Sequence, residues 1–279
     1  MNYGKLLAAQ VSEHGKNEKS LAVILLGVGM VCYFGSRYFR FANLNAMGVN
    51  PLESFIILGS DQRSFTCVTF FPLILLTFDA PFTSDRSVSE IVRVGKRRWL
   101  ISKILFVVLE ILVYQLLVFA FSVLLSVFSA RSMVWKGWSP AMEYLSGRGW
   151  RLAASKFQLA FSYPEFTQFL SPWGAVGVTV LFNGAYCLAL TLVMVNCNIL
   201  LKDTKGWVIA VAIHILGYVI DNNGSGLLFQ FGFSLLNCAM PAWQFSGSSY
   251  GNAIVSGVTF TVLILLLLPI RTLERRLMP

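Results

Sequence analysis

The sequence predicts an all-α membrane protein with six transmembrane helices, and three observations carry that reading. Of the 279 residues, 56% are hydrophobic and 13% charged, with a mean hydropathy of +0.68, far too apolar for a soluble domain of this size. Apolar runs long enough to cross a hydrocarbon core, about 20 helical residues for ~30 Å, recur along the whole chain. No stretch between them is long and polar enough to form a soluble domain, so residues 1–279 read as a single transmembrane domain.

The opening residues lack the continuous apolar core and small-residue cleavage site of a secretory signal and are expected to be retained. Within residues 1–19, Tyr3, Leu6, Leu7 and Val11 share one helical face and Lys5 and Glu13 lie away from it, which predicts an amphipathic helix on the inner membrane surface. Spans are predicted at Leu21–Tyr38, Phe65–Phe82, Ile104–Phe128, Trp173–Leu201, Trp207–Ile220 and Ala253–Ile270. The fifth, with 14 residues, rises only about 21 Å and must borrow flanking residues, tilt or distort the bilayer. Asp221 and the turn-rich residues after it end that span. In the following segment, 221–252, the run Leu227–Trp243 is apolar but bracketed by turns and too short to cross, which suits a re-entrant or external broken helix before span six. A seventh crossing is the alternative, and it would leave Arg271, Arg275 and Arg276 outside.

The formal charge of +9 first needs explaining as a topology signal rather than as affinity for nucleic acid. With both termini cytoplasmic, the inside segments hold 14 of the 22 Lys and Arg residues, and five of the remaining eight sit in one long external loop, 129–172. That loop mixes Trp135, Trp138, Tyr144, Trp150 and Tyr163 with basic residues, as membrane-interface segments do. Five single cysteines show no metal-ligand spacing and read as packing residues.

The connection 83–103 stands out because Phe82–Lys103 carries six basic residues between two strongly apolar runs. Ser87 and Glu90 form a capping box, with Thr83, Ser84 and Asp85 as alternative caps, and Gly95 is a natural stop. The resulting helix has Val88, Ile91 and Val92 apolar and Arg86, Glu90 and Arg93 polar, and at about two turns it needs another surface to bury it. Lys96, Arg97, Arg98 and Trp99 follow, as expected where lipid headgroups meet an interface anchor. A simple positive-inside anchor is the alternative reading.

An acidic, Ser-rich turn after span two, a short capped helix and then "RVGKRRWLISKIL" leading into span three resemble the permease subunit of bacterial ABC-2 type exporters. The resemblance covers most of the chain and lies in architecture more than in fixed motifs. It implies that the helix containing Asp85, Arg86, Val88, Glu90, Ile91, Arg93 and Gly95 is a cytoplasmic coupling helix that docks on an ATP-binding subunit. It also implies two copies of that subunit, which bind ATP and Mg, a second permease copy or related permease, and location in a bacterial cell membrane. A peptide or amphiphile would be exported.

The chain itself has no GxxxxGKS/T loop, since none of Gly4, Gly15 and Gly95, each followed by Lys, fits the pattern, so hydrolysis falls to a separate chain and no cofactor is expected in this one. Candidate pathway residues are Glu110, Tyr114, Asn183 and His214, polar groups inside predicted spans, for which interhelical hydrogen bonding is the other explanation. A membrane scaffold or sensor, or an intramembrane enzyme using His214, are the competing function classes.

Overall fold

The computed structural model describes residues 10–12, 18–80, 91–222, 234–245 and 251–268. Among them the protein is helical, and the only β feature is a single parallel bridge between Val49 and Met133. Three helices are long and apolar enough to cross a membrane: α1 (Glu18–Leu44), α5 (Lys96–Ser129) and α9 (Pro172–Leu201).

α1 runs about 40 Å and continues past Tyr38, where the sequence predicts its end. Arg37 does not stop it because the guanidinium lies over the rings of Phe34 and Tyr33, 4.6 and 4.7 Å from their centroids. At the start of α1, Lys19 pairs with Asp79 at 3.4 Å and sits over Phe78. The chain then turns through Asn50-Pro51-Leu52-Glu53, an Asx turn in which Asn50 Oδ1 accepts from the Leu52 N–H, while Glu53 Oε2 accepts from the Asn50 N–H.

The second segment differs most from expectation. The helix predicted over Phe65–Phe82 starts earlier, at Gln62, and ends at Thr77, and a further helix, α2 (Glu53–Ser60), precedes it, separated by Asp61, whose backbone is extended (φ −95°, ψ 122°). α3 (Gln62–Phe65) then passes through a π-helical turn, Thr66–Phe70, into α4 (Phe71–Thr77). Asp61 restarts the helix by accepting from the backbone N–H and hydroxyl of Ser64 at 2.9 and 2.6 Å. Pro72 accounts for the π-turn: it has no N–H to offer Val68, and the Phe71 N–H reaches back to Thr66.

Residues 91–94 are helical, and Gly95, with φ 86°, separates them from α5. α5 starts at Lys96, well before the predicted Ile104, so Lys96, Arg97 and Arg98 form its first turn. Cations there oppose the helix dipole, so helix stability does not explain them and an anionic surface nearby would. Trp99, expected at the lipid interface, is instead fully buried in the protein.

α6 (Pro140–Ser146), α7 (Trp150–Leu152) with its π-helical continuation Ala153–Phe157, and α8 (Pro164–Phe169) build a cap over one end of the bundle. Its aromatic residues divide: Trp135 is exposed, whereas the Trp138 indole donates to the Leu170 carbonyl at 2.7 Å and Tyr144 stacks on Phe41. α9, begun by Ser171 and Pro172, is the central helix and touches α2, α5, the following α10 (Gly206–Asn222), α11 (Leu235–Ala239), α12 (Pro241–Gln244) and α13 (Gly251–Leu266). α11 and α12 join the cap end. Lys19, Lys96, Lys202 and Lys205 mark the other, basic end, where the buried Asn198 donates to the carbonyls of Phe78 and Ala80 and accepts from the Gly206 N–H.

Candidate functional site

The break at Asp61 opens a cavity of 380 Å³ beneath the cap. Ser60, Asp61, Gln62 and Arg63 enter it from the broken segment, Tyr218 and Asp221 from α10, and Tyr163, Asn237 and Trp243 from the cap end. The break places polar backbone and side chains in the space beneath the cap. Gln62 crosses the cavity, donating to Asp221 Oδ2 at 2.8 Å and reaching Asn237 Oδ1 at 3.4 Å. Tyr163, in the cap, has its hydroxyl pushed up to about 12, first by burial and then by the charges of Asp61 and Asp221.

From the cavity a line of hydrogen bonds enters the bundle. Thr66 donates to the Gln62 carbonyl at 2.7 Å, which uses its one proton, so its oxygen receives the Nε2–H of His214 at 2.9 Å. The other ring nitrogen, Nδ1, then accepts from the Tyr186 hydroxyl at 2.8 Å. The imidazole lies flat on Phe70, 3.7 Å between centroids at 8°.

Three of the four interior residues singled out in the sequence converge on the broken segment. Asn183 donates to the Gly59 carbonyl at 3.3 Å, His214 holds Thr66, and Tyr114 donates to the Val68 carbonyl at 2.6 Å. The last bond takes up the acceptor that Pro72 leaves without its helical donor. Tyr114→Phe should therefore cost about 1–3 kcal/mol, the price of an unsatisfied buried carbonyl, read as a lower thermal unfolding midpoint in detergent. Glu110 stays apart, half-buried in an apolar groove with Leu21, Ile24 and Phe106.

At the basic end, Asp85, Arg86, Val88 and Glu90 lie outside the described residues. Of the rest, Ile91 is buried, whereas Val92 is 75% exposed beside Arg93. Lys96, Arg97 and Arg98 are at the surface or half-buried, and Lys103 Nζ lies 5.8 Å from the ring of buried Trp99.

Sequence reasoning missed Asp61, Gln62, Arg63 and Asn237, and took Asp221 only as a helix end. The available signal was the polar interruption "GSDQRS" between two apolar runs. Among the described residues no three His, Cys, Asp or Glu side chains group as metal ligands. The pattern GxSxG occurs at Gly247, Ser249 and Gly251, but it follows helix α12 rather than the strand that a nucleophile elbow requires. No family model, curated protein or solved structure matches the chain.

Proposed function

We propose that the chain is the permease subunit of an ATP-driven ABC-2 type exporter in a bacterial cell membrane. It provides the substrate path, while two copies of a separate ATPase bind ATP and Mg and a second permease copy or related permease completes the complex. In this reading α1, the broken segment α2–α4, α5, α9, α10 and α13 are six crossings, with the basic end and both chain ends cytoplasmic. The cap and the cavity face outward, and α11 and α12 belong to the re-entrant segment. The substrate is a peptide or amphiphile.

The observation that carries the proposal is at the basic end. The helical residues 91–94 anchor Ile91 in the core while presenting Val92 outward, and the Asn198 clamp fixes the chain on the other side of the connection, at Phe78 and Ala80. A short helix seated this way transmits into the bundle a push from a partner that rests on its exposed face, where Val92 lies.

Val92→Asp is the test. In the reconstituted complex it should weaken ATPase association about tenfold, the scale of one buried valine, with little change in unfolding midpoint because Val92 lies outside the core. Unchanged association and unchanged coupled ATP hydrolysis would contradict the assignment of this segment.

A further inference from the structure

The cavity at the helix break has the chemistry of a ligand site, and nothing in the exporter reading requires it. We propose that it binds an organic ammonium group, held by Asp61 and Asp221 against the rings of Tyr163, Tyr218 and Trp243.

Two carboxylates from different helices share the cavity. Asp61, on the loop between α2 and α3, is 6% exposed and is fixed by Ser64, and Asp221, at the end of α10, is held by Gln62. Both line the same cavity as Tyr163. Arg63 and Arg37 are the cations near Asp61, but Arg63 is exposed at the rim and engaged by Tyr218, and Arg37 does not line the cavity. The aromatic wall is built: Tyr163 and Trp243 meet edge to face, with centroids 6.5 Å apart at 80°. Carboxylates together with ring faces are the recurrent recognition elements for primary and quaternary ammonium groups. A separate observation also points to a ligand. Ser60 lines the cavity, is 4% exposed, and its hydroxyl has no hydrogen-bond partner among the described residues. At 380 Å³ the space is at the low end of small-molecule sites, about 300–1,000 Å³, suited to an amine the size of an amino acid or to the amino end of a peptide.

The test uses the full chain in lipid nanodiscs, titrated calorimetrically with choline and with n-butylammonium. Each is compared with a neutral isostere in which carbon replaces the charged nitrogen. Saturable binding of at least one cation, about tenfold tighter than its isostere, is expected. Asp221→Asn should remove most of that preference, and Trp243→Leu should weaken the same cation. If Asp221→Asn does not fold, as judged by gel filtration and thermal unfolding, the Trp243→Leu titration decides. Neither cation binding better than its isostere would overturn the proposal. So would cation-selective binding that the folded variants leave unchanged, since the cation would then sit elsewhere. Transport is not part of the readout, so failure of the exporter reading and failure of this one are separable.

Discussion

Glu53→Gln is expected to cost about 3 kcal/mol and to lower the thermal unfolding midpoint by roughly 5–10 °C. Glu53 is fully buried and accepts four hydrogen bonds: Ser139 N–H to Oε1, and the Asn50 N–H, Tyr38 hydroxyl and Ser139 hydroxyl to Oε2, all between 2.6 and 2.9 Å. Each oxygen faces a fixed backbone N–H, so whichever way the amide is turned its NH₂ group meets another donor. The residue ties together α1, the start of α2 and the N-cap of α6, which makes it the pin that holds the cap on the bundle. Tyr38→Phe removes a single donor and should cost about 1 kcal/mol. Equal effects of the two variants, or a neutral Glu53→Gln, would show that the cap is held elsewhere.

Gly59→Ala should cost about 2–3 kcal/mol, because α2 crosses α9 at this glycine with no room for a methyl group. A Cβ there would overlap the Thr179 methyl and lie 2.6 Å from Asn183 Nδ2, the group that caps the Gly59 carbonyl at the break. Thr179→Ser removes the overlapping methyl and keeps the hydroxyl that donates to Ala175. The double variant should therefore recover part of the lost midpoint in a thermal unfolding cycle. No recovery would mean that the strain lies at the Asn183 amide or in the backbone rather than at the Thr179 methyl.

The helices predicted over Trp173–Leu201 and Trp207–Ile220 were legible almost to the residue, because the apolar runs that define them are uninterrupted. The broken segment was not. Asp61, Gln62, Arg63 and Ser64 read as loop to any hydropathy window, which registers polarity but not that Asp61 caps the helix that follows. The Asn50-Pro51 turn was available locally, yet the bonds from Ser139 to Glu53 span 86 residues and the one from Gln62 to Asp221 spans 159, and such pairings have no signature in one sequence. Tyr114, Asn183 and His214 were found because a polar group in an apolar run must have a partner. Which partner each one has depends on where α2 breaks and where Pro72 forces the π-turn, and both are outcomes of packing. Trp99 shows the same limit: its position at a helix start suits a lipid anchor, but neighbouring helices cover it.

The proposed permease lines a path and takes its energy from another polypeptide. The most direct measurement is isolation of the tagged chain from its native membrane in mild detergent, mass spectrometry of the chains that come with it, and assay of ATP hydrolysis. Stoichiometric recovery of a chain carrying a GxxxxGKS/T loop is expected, with ATPase activity that is lost when that loop's lysine is replaced. Absence of any such chain, even after gentle cross-linking, would contradict the exporter reading.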